Sequence, residues 1–513
     1  MPEDFVLSLP LAIVAPTQYT HSFLTGKAFW TIILLRLYHN PENMSTEPPK
    51  LSVGATFHVP GVNDTPASLL NRWSDSYVSL PAAVAVPHTD SDVAALVAYA
   101  KERALTIVVA GGKHLASVPI TSKTLYLDMK NFDGTRIDET ARTVTIGGST
   151  TTGAVLEALT PAGYYTSVPN TNTVGFVGAF LGGGSSTINS VKGFLIDNAV
   201  AVRVVTSAGK VVTLGPESKG EEAMLWHTLR GAGHGLAVVL DLTVRIYPIS
   251  ELGMDDNKAW TRTAIFPPPG FGVAARVFAE LQLVQGPIAI NLIIMRSPPG
   301  TPAPGSPIMV LSATYFGPSV EAEKVLPTLL DPAVTSAAVM AKTEFVPMTA
   351  MNDGTKMAES RGGLKRSEAT LLSSPVSAAT IERSCARFLQ LGDDAPDAMG
   401  SAVVYYTFDK SVLVENGASE ESRRDFFEGR DTGCIAYHDV WFKEEETAKV
   451  VDAYLPEAIA VAREGENGQV RRFANFLQYP ANLEETYSEG KVAEKKRAKE
   501  IWDPENVFWT PGF

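Results

Sequence analysis

The chain has 513 residues, 45% apolar and 19% charged, a globular composition that suggests two or three domains at ~100–200 residues each. Lys+Arg 43 against Asp+Glu 56 leaves a net charge of −13, which argues against a phosphate-tracking nucleic-acid binder and against a polybasic membrane partner. Two cysteines, Cys385 and Cys434, and no His-x-x-x-His pair exclude a disulfide scaffold, a Cys-based zinc or iron–sulfur site and a helical metal site, so no metal is expected.

Residues 1–43 fit nothing that follows and stand as an unassigned N-terminal extension; Met44 opens a more ordinary polar start, which raises a gene-model artefact as the alternative. Their best apolar run, Phe29–Leu37, is interrupted by Arg36 and falls short of the ~18–20 residues a membrane span needs. Glu3, Asp4, Pro10 and Pro16 argue against a secretory signal peptide. The expected location is therefore cytoplasmic, with secretion left open.

From residue 81 to 250 short strands and helices alternate. Val84–Val86 reads as a strand ending at Pro87. Asp90–Arg103 reads as a helix, with Thr89 as N-cap and Val93, Leu96, Val97, Tyr99 and Ala100 at helical spacing. Thr106–Ala110 is a continuous apolar strand that runs into Gly111–Gly112, and Thr124–Asp128, Thr143–Ile146 and Ala199–Thr206 read as further strands. Thr152–Leu159 reads as a helix stopped by Pro161–Gly163. Residues 251–454 hold longer β-rich runs, Ile288–Met295, Ile308–Tyr315, Ala402–Phe408 and Cys434–Phe442, with helices expected at 319–330 and 376–391. The Pro- and Gly-rich stretch from Ser297 to Pro307 reads as a loop between two of the strands. An antiparallel sheet with helices on one face follows, in an α+β fold. Residues 482–502 read as a charged helix with a solvated face.

Two glycine-rich segments concentrate the chemistry: Val109-Ala-Gly-Gly-Lys-His114, directly after a buried strand, and Val174-Gly-Phe-Val-Gly-Ala-Phe-Leu-Gly-Gly-Gly184. Such density lets backbone approach a ligand closely and aim N–H groups at an anion, a pyrophosphate above all. The alternative is that these glycines simply make tight turns and that His114 is structural. Neither segment has Gly-x-Gly-x-x-Gly spacing, Gly231-Ala-Gly-His-Gly235 lacks the third glycine in register, and no P-loop or Gly-x-Ser-x-Gly elbow exists. A nicotinamide-dependent Rossmann enzyme is thereby nearly excluded.

In order along the chain, Pro81–Pro87, the Gly-Gly-x-His turn, Thr145-Ile-Gly-Gly148, Val174–Gly184, Phe194–Ala199, Leu225–Gly233, Phe473-Ala-Asn-Phe476 and Asp503–Phe508 resemble the berberine-bridge-enzyme-like FAD-linked oxidases. These belong to the vanillyl-alcohol-oxidase and p-cresol-methylhydroxylase superfamily. The resemblance implies a two-subdomain FAD-binding domain of the p-cresol-methylhydroxylase type over 44–250, a substrate domain over 251–454 and a C-terminal module over 455–513 that returns to the FAD domain. It implies FAD contacts from Gly111, Gly112, Lys113, His114, Leu115, Thr171, Val174, Gly175, Gly178, Gly183, Gly184 and Asn475. His114 falls where such enzymes bond histidine to the flavin 8α-methyl carbon. Lys113 and Leu115 stand where the family more often has glycine and a small polar residue. Thr171 falls where many relatives carry a second, cysteinyl link, so one covalent bond is implied. Val174 falls at the position that gates oxygen, and its small side chain implies O2 as acceptor.

The family's base is often a tyrosine of a Tyr-x-Asn-Tyr segment; here Phe473 and Phe476 stand there, and phenylalanine accepts no proton. A replacement is sought on Cys434–Phe442. Strand alternation puts Tyr437 and Asp439 on one face and His438 on the other, so Tyr437 and Asp439 are the catalytic candidates. A one-residue shift of register would bring in His438 instead, Tyr405 and Tyr406 are lesser candidates, and Tyr437 could simply pack while Asp439 is solvated. The expected function is an FAD-dependent oxidase of a small organic substrate, a secondary-metabolite intermediate or alcohol. It passes hydride to flavin N5 and electrons to O2, giving H2O2, and acts as a monomer or homodimer. The alternatives are a flavin-retaining biosynthetic cyclase and a non-enzymatic FAD-fold binding protein.

Overall fold

The computed structural model describes residues 47–467 and 470–513; the expected extension at 1–43, with its apolar run Phe29–Leu37, lies outside them. Three sheets organise the unit Pro49–Phe513. The first holds β1 (Thr56–His58), β2 (Ala83–Val86), β3 (Thr106–Ala110) and β4 (Thr124–Asp128) in the order β1-β2-β4-β3. Strands β2, β4 and β3 are parallel, and β1 runs antiparallel on β2. Every residue of β2 and β4 is buried, as continuous apolar runs in parallel sheets should be. Helix α1 (Asp90–Glu102) starts at Thr89 through a capping box with Asp92 and buries Val93, Leu96 and Val97, each worth roughly 1.5–3 kcal/mol.

The chain next forms β5 (Thr135–Asp138), β6 (Thr143–Gly147), β7 (Tyr164–Tyr165), β8 (Ala199–Val205), β9 (Val211–Leu214), β10 (Val238–Arg245) and β11 (Tyr247–Pro248). Five of these make an antiparallel sheet in the order β5-β6-β10-β8-β9, and β7 pairs with β11. Helices α2 (Thr152–Leu159) and α3 (Phe176–Leu181) pack into this second sheet's core.

The third sheet has seven antiparallel strands: β12 (Lys258–Phe266), β13 (Ile288–Arg296), β14 (Pro307–Tyr315), β15 (Met340–Pro347), β16 (Leu364–Leu372), β17 (Ala402–Phe408) and β18 (Cys434–Phe442). Their order is β15-β12-β14-β13-β17-β18-β16. Alternation gives each strand two different faces. Ile290, Leu292, Val403, Tyr405 and Ala436 pack with Phe278 of α4 (Phe271–Leu281) and Phe388 of α5 (Ala378–Asp394). Val440 and Phe442 pack with Tyr454 of α6 (Ala448–Ala462). The helices thus cover one face, and the other looks at the first two sheets. Helix α6 runs through residue 454, the expected end of the substrate region, so its layer reaches Ala462.

Two expectations need correction. The helix expected over 319–330 is two, Ser319–Val325 and Pro327–Leu330, because Pro327 lacks the N–H to continue the first. The charged helix expected over 482–502 forms only as α7 (Glu489–Trp502), and its face is not wholly solvated: Lys495 and Lys499 are 1% and 4% exposed. Lys499 donates from Nζ to Asp503 (2.6 Å), Thr510 (2.7 Å), the Phe508 carbonyl (2.8 Å) and the Gly235 carbonyl (3.1 Å). Asp503 in turn accepts the Val507 and Phe508 amides. This knot lays residues 507–509 beside β3: Ile107 N–H donates to the Val507 carbonyl and Trp509 N–H to the Ile107 carbonyl.

Candidate active site

A cleft enclosing about 2340 Å³ of atom-free space, part of it open to solvent, separates the seven-stranded sheet from the other two. One wall is Ile107–Val118, Thr171, Val174, Gly175, Gly178 and Gly184, with Phe508 and Trp509; the opposite wall carries Met295, Ser367, Tyr406, Tyr437, Asp439 and Trp441. The two glycine-rich turns meet in the first wall. A Cβ on Gly112 would lie 2.1 Å from the Gly175 nitrogen, and one on Gly175 would lie 2.5 Å from the Gly112 nitrogen, so both positions must be glycine for the backbones to touch. Lys113 follows in the left-handed region at φ +63. Its ammonium is turned to Asp128 at the end of β4, 2.7 Å away, so Lys113 offers the cleft its backbone rather than its charge. Among the described residues the amides of Gly112, Lys113 and His114 make no hydrogen bond, which leaves a run of donors suited to an anion.

His114 is held from two sides. Its imidazole stacks on the Trp73 indole at 5.4 Å and 23°, and its Nε2 lies 2.7 Å from Thr173 Oγ1. Burial, aided by the Arg361 and Lys365 charges, pushes its pKa down to about 3, so the ring is neutral near pH 7. Neither Trp73 nor Thr173 was singled out in the sequence: Trp73 lies 41 residues before the histidine and Thr173 59 after it, and no local spacing joins them.

The remaining expected contacts divide. Leu115, Thr171, Val174, Gly178 and Gly184 line the cleft. Gly183 does not; at φ +106 it is turned toward Phe427 and Phe473. Asn475 lines the cleft, but its amide is engaged: Nδ2 donates to the Ala179 carbonyl (2.8 Å), and Oδ1 accepts the Gly184 amide (3.1 Å). It thereby fastens the C-terminal module to the end of α3.

Strand β18 projects Tyr437 and Asp439 into the cleft and sends His438 to the helical side, where Nδ1 lies 3.1 Å from the Tyr454 hydroxyl. Tyr405 also leaves the site, because it points between the helices and pairs with Ser384. Tyr406 reaches the cleft, yet its hydroxyl donates to the Ser186 carbonyl at 2.6 Å. Tyr437 stacks on Phe476 at 5.5 Å and 24°, and burial raises its phenol, with Asp439 adding to the rise. Asp439 accepts a short hydrogen bond from Ser367 Oγ on β16. Burial pushes its pKa up to about 6, against the opposing effects of Ser367 and the Lys365 charge. Lys365 stands two residues from Ser367, opposite Trp441. Its Nζ lies 4.7 Å from the Trp73 ring and 4.5 Å from the Trp441 ring, and it donates to the Trp73 and Ser360 carbonyls. Burial lowers it to about 8. Among the described residues no group of three or more His, Cys, Asp and Glu could hold a metal, and no helix is long and apolar enough to cross a membrane.

Comparison with known proteins agrees with this geometry. A family model described as an FAD binding domain matches residues 81–215. The FAD-linked oxidoreductase hasG of Aspergillus fumigatus is 24% identical over 451 residues, covering 85% of this chain and 92% of that protein. The FAD-linked oxidoreductase srdI of Neurospora crassa is 24% identical over 481 residues, covering 90% and 89%. Among solved structures, Physcomitrella patens BBE-like 1 superposes with a TM-score of 0.71 at 19% identity, over 89% of this chain and 96% of that one. Berberine bridge enzyme from Eschscholzia californica superposes with a TM-score of 0.68 at 14% identity, over 89% and 96%. The fold is the one these solved structures share, and the residues matched by the FAD binding domain include the cleft's two glycine-rich turns. The chain carries an FAD binding domain, is similar along most of its length to FAD-linked oxidoreductases, and shares its fold with berberine-bridge-enzyme-like structures.

The residues present fit FAD. The touching glycine turns form a cradle that any Cβ would fill, and the run of free amides beside them suits the pyrophosphate. The cleft continues past His114 to the second wall, which Tyr437 and Asp439 line.

Proposed function

We propose that this FAD-linked oxidoreductase is an oxidase of a small organic substrate, a secondary-metabolite intermediate or alcohol, with O2 as electron acceptor and H2O2 as product. Bound FAD supplies the hydride acceptor at N5. The observation that carries the reading is Asp439: a carboxyl group facing the cleft, with its pKa near 6 and one hydrogen bond to Ser367. A group poised there takes a proton from a substrate hydroxyl or C–H at neutral pH, which neither Phe473 nor Phe476 can do. Tyr437, its phenol raised, stays protonated and donates a hydrogen bond to substrate oxygen. Ile293, Met295, Met357 and Val404 supply apolar walls that order the substrate and exclude water.

On this reading His114 bonds covalently to the flavin 8α carbon, because a neutral imidazole is the form able to attack. Thr171 offers no thiol, so one bond is formed. Val174 borders the cleft, and its small side chain supports O2 as acceptor.

The test is twofold. Purified protein should be yellow, and acid precipitation should leave the colour in the pellet; a colourless pellet rejects the covalent bond. Incubation with candidate substrates should release H2O2 at a steady rate. Product formed without H2O2 would favour the cyclase reading, for which the two phenylalanines in place of tyrosine base residues speak.

A further inference from the structure

We propose that Thr173 is the positioning residue that presents His114 for attachment to the flavin, its hydroxyl accepting the Nε2 proton in a hydrogen bond so that Nδ1 carries the free electron pair. The inference rests on the covalent bond proposed above. It concerns a residue given no role so far.

The hydroxyl is a fixed point. Thr173 belongs to the loop 169–175, whose backbone is tied down on two sides. From α2, the Thr152 and Gly153 amides donate to the carbonyls of Val174 and Asn172, each at 2.9 Å. From the loop before β16, Asn352 Nδ2 donates to the Pro169 carbonyl at 2.9 Å and Thr355 Oγ1 to the Asn170 carbonyl at 2.7 Å. His114 follows the left-handed turn at Lys113, and the Trp73 face against its ring allows sliding but resists tilting. The 2.7 Å contact between Thr173 Oγ1 and His114 Nε2 removes that remaining freedom.

The accepting role proposed for Thr173 sets the tautomer. A neutral imidazole carries one N–H and one basic nitrogen. With Thr173 accepting from Nε2–H, the basic nitrogen is Nδ1. Burial, aided by the Arg361 and Lys365 charges, disfavours a cationic ring, so the proton on Nε2 needs a way out as the ring is alkylated. The Thr173 hydroxyl relays it, taking the Nε2 proton while its own hydrogen passes to water. Overall, the bond forms between Nδ1 and the flavin 8α carbon, the methyl group gives up one hydrogen, and Nε2 gives up the other. Dioxygen takes two electrons and two protons as hydrogen peroxide.

The experiment needs no substrate. Wild type, Thr173→Val, Thr173→Ser and His114→Ala are produced with limiting riboflavin, then given FAD in air. Acid-precipitable flavin is followed with time, and peptide mapping locates the added mass. Wild type should acquire flavin on the peptide containing His114, and His114→Ala none. Thr173→Val, which keeps the shape and loses the hydroxyl, should bind FAD noncovalently but attach it roughly tenfold more slowly, the worth of one hydrogen bond. Thr173→Ser should attach it near the wild-type rate. If valine at 173 does not fold, Thr173→Ala replaces it with the same expectation. Equal rates in wild type and the hydroxyl-free variant would overturn the proposal while leaving the covalent reading intact. Wild type that never acquires acid-stable flavin would overturn both.

Discussion

Asp439 shows how one residue couples acid–base chemistry to the fold. Its folded pKa, near 6, lies above the ordinary carboxyl value of 3.8, so the protonated form is favoured in the native state. The native state therefore gains from this group below about pH 4 and loses that gain as pH rises through 6. Asp439→Asn should be more resistant to heat than wild type at pH 7–8, with the difference vanishing near pH 4; a thermal-melt series across that range reads it out. The same substitution should lower kcat/KM by roughly 10²–10⁴ and abolish the rise in wild-type kcat/KM between pH 5 and 7. A pH profile unchanged by the asparagine would remove Asp439 from the reaction. At this scale the sequence was partly legible. Strand alternation placed Tyr437 and Asp439 together, because a period of two needs no tertiary information. It could not show Ser367, Lys365 or Trp73 around them. Lys365 is brought beside Asp439 only by the pairing of β16 with β18, 74 residues apart in the chain.

At the scale of elements, the two glycine turns are the most demanding feature. Gly112 and Gly175 touch through backbone, and an added methyl at either would collide with main-chain atoms that cannot swing aside. Gly112→Ala should therefore yield folded protein that has lost most of its bound flavin, seen as a fallen ratio of absorbance near 450 nm to that at 280 nm; a normal ratio would show that the turns can part freely. Gly490, at the start of α7 and outside the cleft lining, is the contrasting control: a Cβ there meets nothing within 4 Å, so Gly490→Ala should keep its flavin. The turns were visible in the sequence as glycine density after an apolar strand, but their mutual contact was not. Gly183 shows the limit of such reading, since its place in the motif suggested the cofactor and its conformation points it at Phe427 instead. Pro327 was in plain sight and still did not mark the helix break, because the residues on both sides of it keep helical character.

Across the whole molecule, the C-terminal module joins the sheets. Residues 471–473 pair with β16 through the Leu371 amide to the Arg471 carbonyl and the Phe473 amide to the Ala369 carbonyl. Asn475 then fastens to α3, and residues 507–509 add to β3. Lys499 is the knot of this arrangement, and charge patterning misread it as solvent-facing because a lysine on a charged helix gives no sign of the four oxygens waiting beneath. Lys499→Met should leave Asp503 buried without its cation and cost roughly 3–5 kcal/mol. The measurable outcome is a lower melting temperature together with faster release of flavin from His114→Ala protein, where no covalent bond masks dissociation. An unchanged release rate would show that the knot serves stability alone.

Phe508 and Trp509 border the cleft that Gly111 and Gly112 begin almost four hundred residues earlier. A ribosome making this protein has thus translated both segments before the cofactor's binding place is whole. Flavin loading accordingly waits until residue 509 has been made, and a cell starved of riboflavin would accumulate apoprotein awaiting its cofactor.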